Sequence, residues 1–526
     1  MSQFLFFRSA LSRYIFVVSL SLQTFAYAED FSPFSVSSNT TIPQEINKIV
    51  SVKQDALLAR ANFENRAEDV DALYKANNYE PLWLGNSQSE KNIADVLALL
   101  SNAAAQGLNA EDYSATELQQ KLPFILLLKP ESTTDLALYD AALTVSLTRF
   151  LHDIHYGRVN PHSLNFNIKL RTQKSLDLPQ LIKSSIAEGS VSQLALKVEP
   201  NLQQYRQLRS ALATYRELAN APVTEKSRKG KNKKVVNSFE RITKIELAME
   251  RLRWLPEMTA GQSIIVNIPA FQLWAIDATE QSNTPVLNLN VVVGKAAKNQ
   301  TPILMADMRY VEFMPYWNVP PSILKKEIMP KLAANPNYLA GQNMEVVSLK
   351  NGGMRVRQRP GGKNALGRIK FIFPNPEGVY LHDTPSKSLF GRSRRDFSHG
   401  CVRVQNPSEL AQFVLKNQEG WTQDRIANTL KTNEHHQVSL KTSIPVLFFY
   451  STAFYEQNDK LTFYNDIYGH DATLLAALTK VGDVPDSALI GREPELPSEP
   501  LNTPTLEPDD SQMFLVPPQA HEPLTP

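Results

Sequence analysis

What the chain lacks narrows it first. It has 526 residues and one cysteine, Cys401. That count excludes an intramolecular disulfide and a cysteine-rich zinc module, and leaves a quiet core thiol or a reactive one. Charge of one sign is also missing: Lys and Arg exceed Asp and Glu by only 2, so nothing in the balance supports nucleic-acid binding. No segment reaches the roughly 20 apolar residues of a spanning helix, and there is no internal repeat. With 42% hydrophobic and 21% charged residues the composition is that of a globular protein, neither collagen-like nor wholly disordered.

The termini read differently from the middle. Arg8 and Arg13, the apolar stretch from Tyr14 to Leu22, and Ala26-Tyr27-Ala28 form the three-part pattern of a cleavable export signal over 1–28. A polar segment follows over 29–54, and no cysteine after Ala28 offers a site for lipid attachment. Residues 485 to 526 hold ten prolines and eight acidic residues, a composition that predicts disorder from about 481 onward.

Between these ends, 55–220 reads as a helical domain. Ile93, Val96, Leu97, Leu100 and Ala104 form one apolar stripe, and Leu136, Tyr139, Leu143, Leu147, Phe150 and Leu151 another, both expected to be core faces. Over 221–238, Lys226, Arg228, Lys229, Lys231, Lys233 and Lys234 crowd a stretch without apolar periodicity, which predicts a solvated basic linker. A helix is expected over 240–253, where Ile242, Ile245, Met249 and Leu252 share a face, and strands at 264–268, 271–276 and 286–293. Asn406-Pro407-Ser408-Glu409 has the chemistry of a helix start.

The chemistry concentrates in His382-Asp383-Thr384-Pro385 and, after an Arg-rich interval, Ser398-His399-Gly400-Cys401-Val402-Arg403-Val404. A thiol with a pKa of about 8.5 is a poor nucleophile until it loses its proton, and an imidazole near 6.5 can take it. Gly400, lacking a Cβ, lets backbone amides beside Cys401 approach a bound carbonyl, as an oxyanion hole requires. The spacing by itself leaves open a buried structural cysteine beside two histidines.

This stretch resembles the signature of the L,D-transpeptidase (YkuD-type) catalytic domain, in which a histidine is followed after about fifteen residues by Ser/Thr-His-Gly-Cys. The flanks resemble the large YcbB-like periplasmic subfamily: Val266 to Phe271, Pro315-Tyr316-Trp317-Asn318-Val319-Pro320, Arg357 to Gly361, Asn364 to Gly367 and Phe373-Pro374-Asn375. Further matches are Asp466 to Asp471, Gly107-Leu108 and Gly157-Arg158-Val159, so the resemblance covers most of 70–475.

The resemblance implies an α+β chain: a helical scaffold domain, then a mainly β catalytic domain over 239–480 with a helical capping segment at about 316–345. It implies Cys401 as nucleophile, His382 as general base and acid, and His399 with Gly400 shaping the pocket and its oxyanion hole. Ser398 supports them, and Tyr380, Arg403 and Trp317 contact the peptide; Arg403 stands where relatives carry Asn. The reaction implied is 3-3 crosslinking of peptidoglycan through a thioester, with release of D-alanine and no metal or cofactor, in a periplasmic carbapenem target. Its partners are stem peptides and other cell-wall synthesis proteins. The subfamily's small peptidoglycan-binding module has no counterpart, the basic stretch 221–238 standing in its place. Alternatives are an L,D-carboxypeptidase, an enzyme attaching protein to peptidoglycan, an inactive wall-binding scaffold, and a zinc site of Cys401, His382 and His399.

Overall fold

The computed structural model describes residues 40–480 except 86, 127–131, 173–175, 221–227, 258–260, 279–286, 350–352 and 457–458, with backbone only over 228–237. The stretch expected as an export signal over 1–28 and the tail expected to be disordered from 481 lie outside the described residues.

Among the described residues nine α-helices come first. They are α1 (Ile42–Val52), α2 (Ala67–Lys75), α3 (Ser89–Ser101), α4 (Ala115–Leu126), α5 (Thr133–Tyr156), α6 (Leu178–Glu188), α7 (Leu194–Val198), α8 (Gln203–Asn220) and α9 (Arg228–Trp254). α5 is the axis of this region. Its apolar stripe is buried as expected, and so are Asp140, Thr144, Ser146 and Thr148 on its other sides, because helices surround it. Much of the polar side of this helix is buried because Asp140 and Thr144 are paired. Asp140 accepts from Tyr74 Oη (2.7 Å), Leu82 N (3.0 Å) and Trp83 N (2.9 Å), and Thr144 Oγ1 accepts from Trp83 Nε1 (2.8 Å).

Two expectations for this part need correction. The polar segment over 29–54 contains α1: Thr41 N donates to Gln44 Oε1 (2.9 Å), Pro43 sits in the first turn, and Ile46, Ile49 and Val50 bury against α5. Three apolar residues among polar ones are enough when they fall on one face. The basic stretch expected as a linker over 221–238 is helical from Arg228 onward, continuous with the helix expected over 240–253. Lys and Arg are good helix formers, and no proline interrupts 224–255.

The helical region also divides its apolar residues between two cores. Residues of α1 to α7 make one, whereas Val159, Phe166, Ile168, Tyr205, Leu208 and Leu212 join α9 and the strands in the other. α9 is therefore the seam. Glu250 Oε1 accepts from Arg158 N (2.6 Å) and Val159 N (3.0 Å), and Arg253 donates to Glu250 Oε2 (2.9 Å), Tyr205 Oη (3.0 Å) and the Gln106 carbonyl. Gly157 has φ +85°, and a Cβ there would lie 2.8 Å from Trp254 Nε1, which accounts for the Gly157-Arg158-Val159 run.

The strands follow. β1 (Gln262–Asn267), β2 (Gln272–Asp277), β3 (Leu287–Gly294) and β4 (Leu304–Phe313) precede an excursion, the cap. The cap holds β5 (Trp317–Asn318), α10 (Pro321–Ile323), a π turn (Leu324–Ile328), α11 (Met329–Ala334), α12 (Tyr338–Gly341), β6 (Met344–Ser348) and β7 (Met354–Gln358). It has its own sheet, β5-β7-β6, and its own apolar cluster of Val319, Ile328 and Val356. The cap therefore runs to Gln358 rather than ending near 345, since β7 is the central strand that holds it together.

After the cap come β8 (Ile369–Ile372), β9 (Leu381–His382), β10 (Asp396–Ser398), β11 (Val402–Val404), α13 (Pro407–Leu415), α14 (Gln423–Thr432), β12 (His436–Phe449), β13 (Ala453–Tyr455), β14 (Leu461–Phe463) and α15 (His470–Lys480). The main sheet has the order β10-β3-β11-β9-β8-β4-β12-β1-β2, and β2 also pairs with β3. That pairing closes eight strands into a barrel with β10 on its rim. The α+β architecture expected from the sequence is the one observed. The cap leaves and re-enters between β4 and β8, which pair with each other, and Met314 N donating to the Arg368 carbonyl (2.7 Å) ties its base.

Candidate active site

β9 and β11 run parallel with Val402 opposite Leu381 and Arg403 opposite His382. Leu381, Val402 and Val404 point into the main core. Alternation then places Tyr380, His382, Cys401 and Arg403 together on the other face. β8 extends the row, with Lys370 opposite His382, and β4 extends it again, with Glu312 opposite Lys370. Residues twenty apart in sequence thus become neighbours because two short strands pair.

Cys401 is half-buried, and its thiol is hydrogen-bonded to the Tyr380 hydroxyl. Burial pushes the thiol above its ordinary pKa, only partly offset by Tyr380, Lys370 and Arg403. The Tyr380 ring stands edge-on to His382 with centroids 5.6 Å apart, and Lys370 Nζ lies 4.6 Å from its centroid. Lys370 is paired with Glu312 at 3.6 Å.

His382 Nδ1 lies 2.5 Å from the Asp383 carbonyl oxygen. A carbonyl only accepts, so Nδ1 carries the proton and Nε2 is left as the basic nitrogen. Burial and then the positive charge of Arg403 push His382 down to about 3, the Asp383 and Leu366 carbonyls opposing them. Burial thus raises the thiol and lowers the imidazole, each toward its neutral form.

The loop before Cys401 is tightly held. Gly400 has φ +115°, in the region open to glycine. Ser398 Oγ donates to the Cys401 carbonyl (2.6 Å) and accepts from Gly400 N (3.2 Å). The Gly400 amide is thereby engaged. His399 Nε2 meets Glu327 Oε1 of the cap's π turn at 2.7 Å, so His399 is committed to the cap rather than to the thiol.

Tyr380, His382, Cys401 and Arg403 are thus assembled on one face, and Ser398, His399 and Gly400 shape the loop. Trp317 is placed elsewhere: it packs, partly buried, on the cap's own apolar cluster. Arg403 Nε is buried without a hydrogen-bond partner among the described residues. Sequence reasoning missed Lys370, Glu327 and Thr301, whose hydroxyl bonds the Gly400 carbonyl. No local spacing marks them, although Lys370 falls in a short β-branched and aromatic run.

Residues 261–430 match the L,D-transpeptidase catalytic domain, and residues 68–212 match the Scaffold domain. The chain carries an L,D-transpeptidase catalytic domain of the YkuD type. It is also 26% identical over 419 residues to a Haemophilus influenzae protein provisionally named an L,D-transpeptidase, covering 76% of this chain and 77% of that one. The matched catalytic segment contains every residue of the Cys401 site, and the matched scaffold segment ends within α8. An L,D-transpeptidase domain carries with it a peptidoglycan peptide as substrate. No helix among the described residues is long and apolar enough to cross a membrane.

Proposed function

We propose that the protein is a peptidoglycan L,D-transpeptidase that forms 3-3 crosslinks through a thioester on Cys401. The observation that carries this reading is the thiol and the neutral imidazole on one cleft face of a domain of that family. His382 Nε2 takes the thiol proton as Sγ attacks the carbonyl of the third stem residue. The C–N bond to the terminal D-alanine breaks, and the same proton leaves with its amine. An amine on a neighbouring stem then attacks the thioester, gives its proton to His382 and expels the thiolate, which is reprotonated. Exclusion of water in this interval favours the amine, and the cap, reaching the nucleophile loop through Glu327 and His399, is the segment placed to do it.

Substrate contacts fall to polar groups on the face of the thiol. Arg403, with its partnerless Nε, and Tyr380 are assigned to the peptide. The pattern at 1–28 assigns the protein to the periplasm after export. Intact-mass measurement of the mature chain with purified stem tetrapeptide tests the whole reading. The expected result is an adduct on Cys401 equal to the stem less D-alanine, followed by dimers. Tripeptide without dimer would make the enzyme a carboxypeptidase, and the absence of any adduct would leave a wall-binding scaffold.

A further inference from the structure

The Gly400–Cys401 peptide is held from behind by a residue a hundred positions away. Thr301 is fully buried, and its Oγ1 donates to the Gly400 carbonyl at 2.7 Å while accepting from Gly294 N at 2.9 Å. Only a hydroxyl both donates and accepts at one atom. Thr301 is itself braced: its N donates to Tyr468 Oη at 3.2 Å, and that hydroxyl donates to the Gly294 carbonyl at 2.6 Å. Tyr468 N in turn donates to Tyr450 Oη (3.0 Å), which donates to Asp466 Oδ1 (2.5 Å). The Asp466 to Asp471 run, conspicuous in the sequence and without an evident role there, thus ends against the back of the nucleophile loop.

A trans peptide points its C=O and N–H in opposite directions. Anchoring the Gly400 carbonyl to the interior therefore turns the Cys401 N–H outward. Among the described residues that N–H has no hydrogen-bond partner, whereas the neighbouring Gly400 N–H is taken by Ser398. We infer that Thr301, braced by Tyr468, is the positioning residue that aims the Cys401 N–H into the cleft as an oxyanion donor for acyl transfer. This rests on the thioester chemistry proposed above. Negative charge gathers on the attacked carbonyl oxygen as the C–S bond forms, and the pinned amide meets it without reorganising.

The test separates acyl transfer from thiol reactivity in the full chain. D-alanine release from stem tetrapeptide, resolved into kcat and KM, is compared with alkylation of Cys401 by iodoacetamide, a displacement that develops no oxyanion. Thr301→Val should lower kcat roughly 10- to 100-fold, leaving KM and the alkylation rate unchanged. Thr301→Ser, which keeps the hydroxyl, should restore most of the loss, and Tyr468→Phe should fall between. Unchanged kcat in Thr301→Val would overturn the inference, as would a parallel fall in alkylation or a Thr301→Ser variant as impaired as Thr301→Val. A wild-type chain that is alkylated yet releases no D-alanine would overturn the functional reading, and this inference with it.

Discussion

Asp140 in the scaffold and His382 in the catalytic barrel are both buried ionisable groups, yet their surroundings are opposites. Asp140 has a donor from Tyr74, Leu82 and Trp83 on its oxygens, and these contacts lock α5 to the loop after α2. His382 spends one nitrogen on the Asp383 carbonyl and faces Arg403, whose Nε is unpaired, across the strand pair. A buried polar group whose bonding capacity is used up specifies a fold. One left with capacity to spare, at a cleft, is available to a substrate.

The largest effect that would break this contrast is at the nucleophile. Cys401→Ala should reduce D-alanine release to background while the urea midpoint stays near wild type, because one sulfur at a half-buried position contributes little packing. Turnover above background would remove Cys401 from the chemistry.

The protonation state comes next. A raised thiol pKa means that the protonated form persists until the pH climbs through the raised value, so the thiolate fraction and the alkylation rate should grow about tenfold per pH unit through neutral pH. No plateau should appear by pH 9. A plateau near pH 6 to 7 would indicate a preformed thiolate–imidazolium pair and make the site electrostatically unlike the one described.

On the scaffold side, Asp140→Ala strands the Leu82 and Trp83 amides, while the Tyr74 hydroxyl keeps Thr144 Oγ1 at 2.8 Å, and should destabilise by about 3 kcal/mol. Chemical denaturation measures it. Acylation per folded molecule should be unaffected, and a comparable loss of acylation would tie the two regions together. The smallest effect belongs to Glu327→Gln. A half-exposed contact between His399 and a carboxylate is worth little, so the ratio of tripeptide to dimer should rise by at most about fivefold, with acylation unchanged. An unaltered ratio would reduce the cap contact to a structural one.

Which residues could be found without the fold follows from distance along the chain. His382 and the Ser398 to Cys401 run lie within twenty positions, and the chemistry of each is a property of its own side chain, so a reading of residue types located them. The strands β1 to β3 and the start of α13 were legible for the same reason, as local propensity and capping act over a few residues. α1 escaped because its apolar residues are outnumbered, and the helix from Arg228 because its first residues carry no apolar periodicity.

Residue order alone therefore settled that a lone thiol follows a histidine and a glycine, since covalent neighbours cannot be separated by folding. Tertiary structure decided which histidine shares a sheet face with the thiol. It did so by pairing β9 with β11, burying His382 beside Arg403, and committing His399 to Glu327 of the cap. It also raised the thiol's pKa, because pKa values answer to burial and charge from every side. Thr301, 99 positions from Gly400, reaches the loop only because β3 and β11 share an edge of the barrel.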